Sequence, residues 1–139
     1  MQDREHGLVA DALHRGVITC AADSSALSVA RRMAAHRIHC IVVKLGYGSP
    51  RLVTDAELAG AIYDGRLETA TAEELSRSVP VLRRDDTLGF ALERMHEDRT
   101  THAVVVGSAS RLLGVVSVLD LVEHTLRTAD DKAALRPLP

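Results

Sequence analysis

The sequence predicts an α/β protein, of the α+β type, made of two copies of one unit in which a small sheet carries flanking helices. Three observations lead there. Slid by 62 residues, "DSSALSVARRMAAHR" from Asp23 falls on "DDTLGFALERMHEDR" from Asp85. The apolar positions of the two stretches coincide: Ala26, Val29, Ala30 and Met33 match Leu88, Ala91, Leu92 and Met95 at the i, i+3, i+4, i+7 spacing of an amphipathic helix. Each copy also has a strand that enters a helix through a hydroxyl, followed three residues later by an acid: Thr54 and Glu57, then Ser117 and Asp120.

The elements follow in the same order in both copies. Short helical pieces, "LVADALHR" and "TAEELSRS", come first, and the branched segments "GVIT" and "SVPVL" read as strands. Asp, Ser and Thr ahead of each apolar stripe are N-cap residues, which place a helix start there. The runs Ile41, Val42, Val43 and Ala103, Val104, Val105, Val106 are too short for helices and rich in β-branched residues, so they are expected to be buried strands. Turns follow at "GYGSP" and "GSAS". A second strand then meets a helix at Thr54 and Ser117, now offset by 63 residues, so one turn is expected to differ by a residue. Each copy reads α-β-α-β-β-α. The repeats are expected at 8–65 and 66–128, joined through "YDGRLETA", with a loose tail over 129–139. A unit of about 60 residues is marginal alone. The two are therefore expected to form one compact module, related by a pseudo-twofold axis, with a groove that appears twice.

Composition narrows the function. A net charge of −2 argues against a nucleic-acid partner, which selects a basic stripe. No apolar run reaches membrane-spanning length, and "MQDREHG" lacks the apolar core of a signal peptide, so a cytoplasmic location and no membrane partner are expected. Two cysteines, Cys20 and Cys40, make no disulfide framework, and reduced thiols are the expectation. No Gly-rich phosphate loop, nucleophile elbow or paired zinc motif is present, and no catalytic residue is assigned. The stretch "HRIHC", His36 to Cys40, has a metal-like look, but it crosses from helix to strand, so its side chains need not converge.

The repeated hydroxyl and acid suggest binding. A residue at a strand exit and another on the first helical turn project to the same side. Ser117 offers a hydroxyl beside exposed backbone N–H groups at a helix start, a mild anion site. An ionised Asp120 only accepts, and can take two hydroxyl donors at once, as a ribose presents them. The simpler reading is that Ser117 caps the helix and Asp120 favours its N-terminus.

Two such units, each ending in strand-Thr/Ser-x-x-acid-Leu, resemble a tandem pair of CBS domains, the Bateman module. The resemblance spans about Leu8 to Arg127 and is carried by "VADALHRGVIT", "DSSALSVARRMAAHRIHCIVV" and "RLVTDAELAGAI" in the first copy. In the second it is carried by "TAEELSRSVPVL", "DDTLGFALERMHEDRTTHAVVV" and "LLGVVSVLDLVEHT". It implies a regulatory binding module, not an enzyme, that takes AMP, ADP, ATP or S-adenosylmethionine in clefts between the repeats and needs no cofactor. The family's Gly-h-h-Ser/Thr-x-x-Asp maps onto Gly114, Ser117 and Asp120, with the Asp on the ribose hydroxyls. Adenine is then expected against the first strand of the other repeat, at Val17, Ile18 and Thr19. Residues just before the middle strand, His39, Thr101 and His102, are expected to face phosphates. A homodimer through helices and an unidentified regulated protein complete the implied partners.

The first copy departs from this pattern. Arg51 stands in place of the Gly and Glu57 in place of the Asp, so the Thr54 and Glu57 site is expected to be the weaker one, and Arg51 could pair with Glu57 and fill it. The position before the acid, often Arg in the family, is Ala56 in one copy and Leu119 in the other, which disfavours a triphosphate. Two rival expectations remain: a dimerising scaffold whose clefts have lost their ligand, and a small metal or redox protein built on the cysteines and histidines.

Overall fold

The computed structural model describes residues 7–132. Within it the elements are α1 (Val9–Ala12), β1 (Thr19–Ala21), α2 (Ala26–His36), β2 (Cys40–Lys44), β3 (Arg51–Thr54), α3 (Asp55–Tyr63), α4 (Ala72–Leu75), β4 (Val81–Arg83), α5 (Leu88–Glu97), β5 (His102–Val106), a 3-10 turn (Ser108–Ser110), β6 (Leu112–Ser117) and α6 (Val118–Lys132). Two three-stranded sheets result, ordered β1-β2-β3 and β4-β5-β6, each with its first pair parallel and its second antiparallel. The α-β-α-β-β-α order is thus present twice, as the repeat predicts.

The packing units do not coincide with the sequence repeats. Among the described residues, one unit comprises residues 16–79; the other joins residues 7–15 to 80–132. The leading helical piece of each repeat docks on the strand-helix turn of the other. Val9 and Ala10 donate backbone N–H groups to the carbonyls of Asp86 and Arg84, both at 2.9 Å. Ala72 and Glu73 do the same to Ser24 and Ala22, at 2.7 and 2.9 Å. The chain then pairs edge to edge with the last strand of the same unit. His14 exchanges two hydrogen bonds with Val115 (3.0 and 3.1 Å), and Arg77 exchanges two with Leu52 (2.8 and 3.1 Å). Periodicity reports which residues form an element, not which copy that element completes.

Each unit has its own core. In one, Ala26, Val29 and Met33 of α2 pack on Ile41, Val43 and Val53 of the sheet. In the other, Leu88, Ala91 and Met95 of α5 pack on Leu82, Ala103, Val105 and Val116, with Val9 and Leu121 added. The predicted stripe residues Ala30 and Leu92 lie at its margin and stay partly or largely exposed. The caps are Ser25 and Thr87, which accept from the N–H groups of Ser28 (3.0 Å) and Phe90 (3.1 Å). Asp86 does not cap the helix. Its carboxylate closes the preceding turn by accepting from the Arg83 N–H at 2.8 Å. Both helices are followed by a left-handed arginine, Arg37 (φ 52°) and Arg99 (φ 54°), where glycine is the usual choice.

Three local differences separate structure from expectation. Strand β1 starts at Thr19, so Val17 and Ile18 precede it, although the Ile18 carbonyl still accepts from the Val42 N–H at 3.0 Å. The extra residue of the second repeat is a bulge in β6: Val105 pairs with Gly114 and Val106 with Leu112, leaving Leu113 over. Helix α6 runs on through Lys132, so residues 129–132 are helical rather than tail; residues 133–139 lie outside the described residues.

Gly114 is required by the edge pairing. A Cβ there would sit on the His14 carbonyl oxygen and against Leu13. Gly114→Ala is expected to destabilise the protein by about 1–3 kcal/mol through overpacking. A urea unfolding curve checks this; an unchanged midpoint would show that the His14 segment does not hold its place in solution.

Candidate functional site

The exit of β6 holds Ser117 and Asp120 in a reciprocal pair. The Ser117 N–H donates to Asp120 Oδ2 at 2.8 Å, and the Asp120 N–H donates to Ser117 Oγ at 3.0 Å. This is a capping arrangement, and it forms because the strand ends extended while the helix begins with four unpaired N–H groups. The other carboxylate oxygen, Oδ1, lies 2.8 Å from His14 Nε2. Asp120 is largely buried, with 16% of its side chain exposed, whereas His14 is 69% exposed. The Ser117 hydroxyl accepts a bond but donates none within the described residues. His102 lies opposite Ser117 in the β5-β6 register, and its Nδ1 is 3.0 Å from Thr101 Oγ1.

The exit of β3 is built on the same plan but closed further. Glu57 Oε1 accepts from both the N–H (2.7 Å) and the hydroxyl (2.6 Å) of Thr54, whose Oγ1 in turn accepts from the Ala56 N–H at 3.2 Å. The longer side chain lets the carboxylate fold back on the hydroxyl. Arg51 does not pair with Glu57. Its guanidinium donates to Ser76 Oγ (2.8 Å), the Ser76 carbonyl (2.8 Å) and Ser78 Oγ (2.9 Å), all on the segment that runs beside β3. The cation near Glu57 is Arg77, at 3.9 Å. Thr54 itself is buried.

The sequence-derived site residues fall into two groups. Ser117, Asp120 and His102 share one sheet end in the unit that contains β4-β5-β6, and Gly114 lies three residues back along β6, opposite Val105. Val17, Ile18, Thr19, His39, Thr54 and Glu57 lie in the unit of residues 16–79. There Cys40 pairs with Thr54, and extending the β1-β2 register by two residues brings Val17 level with Cys40. Gly114 leaves room for backbone, and the His14 carbonyl takes that room. His39 is exposed and lies 3.1 Å from Asp55 through Nδ1. The acid partners His14 and Arg77 escaped the sequence reading. They were visible in principle, because the offset of 63 aligns them with each other.

The redox and metal expectations gain no geometric support. Among the described residues, no three His, Cys, Asp or Glu side chains gather as a metal site. Cys20 and Cys40 form no disulfide. Burial pushes the Cys20 thiol pKa up, against smaller lowering effects of Arg32 and of a hydrogen bond with Ser24. The thiolate, the reactive form, is thereby disfavoured.

A chain of two interlocked α-β-α-β-β-α repeats, with a capped hydroxyl-acid pair at the same strand exit in each, is a tandem-repeat module of small sheets. The CBS domain family matches it twice, over residues 9–64 and 72–127, and the chain belongs to that family. No curated protein matches the sequence. Among solved structures, a CBS-domain-containing protein of Agrobacterium tumefaciens is 25% identical, with a TM-score of 0.72 over 84% of this chain and 91% of that one. A CBS domain pair solved with 5′-methylthioadenosine and S-adenosyl-L-methionine shares the fold at 22% identity, TM-score 0.75, over 87% and 97% of the chains. So does a Pyrobaculum aerophilum CBS domain protein complexed with AMP, at 19% identity, TM-score 0.74, over 86% and 98%. No helix among the described residues is long and apolar enough to cross a membrane.

The pair at β6 tests the weight of the cap. Asp120→Ala is expected to cost about 1–3 kcal/mol without any ligand, because a charge-assisted bond to the Ser117 N–H is lost. His14→Ala, at an exposed partner, is expected to cost under about 1 kcal/mol. Paired urea titrations check the contrast; equal losses would make His14 a structural partner of the carboxylate.

Proposed function

We propose that this chain is a regulatory, non-catalytic CBS pair of the cytoplasm that binds an adenosyl compound, AMP, ADP or S-adenosylmethionine ahead of ATP, and through it alters the affinity for a protein partner. The observation that carries the reading is the Ser117 and Asp120 pair. Its hydroxyl keeps a proton to donate, and its second carboxylate oxygen is held only by exposed His14. A ribose that displaces His14 meets an acceptor already fixed by the Ser117 N–H. The adenosyl ligands of the two related CBS structures support the ligand class. Val17, Ile18 and Thr19 serve the adenine, and His102 and His39 its anionic end; Gly114 serves the edge pairing with His14 and not the ligand.

One ligand per chain follows from the difference between the two strand exits. Glu57 spends one oxygen on both donors of Thr54 and has Arg77 beside the other, so a ribose finds no free hydroxyl proton there. Calorimetric titration with AMP and with S-adenosylmethionine should saturate near one equivalent. Asp120→Ala should weaken binding about ten- to hundred-fold, the worth of a charge-assisted hydrogen bond. Two equal sites would overturn the stoichiometry. No binding by any adenosyl compound would favour the scaffold reading, for which the internal satisfaction of both acids is the supporting observation.

A homodimer is the second part of the proposal. Leu119, Val122 and Leu126 line one exposed side of α6 at i, i+3, i+7, and Ile62, Phe90 and Leu92 are exposed on α3 and α5. Light scattering should give twice the chain mass, and Leu119→Glu with Leu126→Glu should return it to one. A monomeric wild type would refute the dimer.

A further inference from the structure

The opposite end of the β4-β5-β6 sheet carries a separate charged pocket. It opens where β4 and β5 end and β6 begins. Leu113 and Ser117 are four residues apart on β6, so this pocket lies about 13 Å along the strand from the proposed adenosyl site. Its cavity of about 450 Å³ is lined by Arg83, Arg84, Asp85, Ser108 and Arg111, among others. That size falls within the range of about 300–1,000 Å³ typical of small-molecule sites.

The three arginines have no internal duty. Among the described residues, no hydrogen bond or ion pair engages the guanidinium of Arg83, Arg84 or Arg111. The Arg83 backbone is used, since its N–H closes the turn onto Asp86, but its side chain is not. Three arginines against the single acid Asp85 leave a positive lining on a chain whose net charge is −2.

The internal repeat supplies a control. At the same place in the first repeat, Ala21 and Ala22 stand where the second has Arg83 and Arg84, and the turn over residues 45–50 holds no arginine. Its one added cation is Lys44, opposite Val106. Asp23 and Asp85 are kept in both. The fold therefore accepts alanine at both arginine positions, and the arginine cluster is an addition to one repeat.

From this juxtaposition of three uncommitted guanidinium groups and Ser108 around one cavity at the β4 and β5 ends, we infer that the pocket binds a small molecule bearing two adjacent phosphates. The planar guanidinium fork matches phosphate oxygens in pairs, and several forks around one cavity favour neighbouring phosphates over a single one. The site is independent of the adenosyl reading and stands or falls without it.

The probe is inorganic pyrophosphate, titrated calorimetrically into the full chain at about 150 mM salt, where Debye screening over roughly 8 Å suppresses diffuse attraction. Orthophosphate and sulfate run beside it. Saturable binding near one equivalent per chain, at least ten-fold tighter than either control ion, is expected. Arg83→Ala with Arg84→Ala should weaken it at least ten-fold, and so should Arg111→Ala. The double variant is expected to fold, because the first repeat carries alanine at both positions, and a thermal melt confirms that it does. Asp120→Ala should leave pyrophosphate affinity unchanged. The inference is overturned if pyrophosphate binds no tighter than sulfate, if the arginine variants bind it as wild type does, or if Asp120→Ala abolishes the binding while they do not. Capture of an acidic peptide in place of pyrophosphate would overturn it too, by assigning the pocket to a protein partner.

Discussion

The structure depends on an exchange of backbone pairing between the repeats. Each repeat begins with a segment that cannot satisfy its own backbone and gives it to the unit built mainly from the other. His14 pairs with Val115 and Arg77 with Leu52, both as two-bond edge contacts. An exposed strand edge is costly to leave open. Here β3 and β6 are each covered on their outer side by the other repeat's leader. The exchange explains why neither repeat is a packing unit by itself, and why Gly114 has no side chain.

The same exchange sets the chemistry of the strand exits. The leader that covers β6 ends at His14, and the one that covers β3 ends at Arg77, so each acid meets a nitrogen-bearing side chain from the other repeat. Small differences then separate the two sites. At β6 Asp120 accepts from the Ser117 N–H and not from its hydroxyl, and its second oxygen faces an exposed imidazole. At β3 the longer Glu57 folds onto the Thr54 hydroxyl, and a guanidinium stands near its other oxygen. With one added methylene the carboxylate takes the hydroxyl proton at β3 that is left free at β6. Arg51 reinforces the difference, because its three hydrogen bonds to Ser76 and Ser78 clamp the leader to β3.

Duplication also leaves parts of each repeat free to diverge. The core positions stay alike because each must fill the same space between one helix and one sheet: Val29 and Met33 in one unit, Ala91 and Met95 in the other. The sheet ends remote from the hydroxyl-acid pairs carry no such constraint. Arginine can accumulate at Arg83 and Arg84 in one copy while Ala21 and Ala22 occupy the other, with no change of fold.

The sequence by itself determined the repeat, the order of elements and the buried face of each long helix. These are local and periodic properties: the stripe from Ala26 to Met33 can be buried in only one way, and the β-branched runs at Ile41 and Ala103 can only be interior strands. The hydroxyl-acid pairs were legible too, because a cap needs fixed spacing. Tertiary structure alone decided which unit each leader completes, since the hydrogen bonds of His14 and Arg77 join residues far apart in the chain and leave no mark in periodicity. It decided the target of Arg51, whose reach from β3 covers several acceptors and whose choice depends on where the leader runs. It also decided that Gly114 makes room for a neighbouring backbone. A missing Cβ states that something comes close; only the packed chain states what.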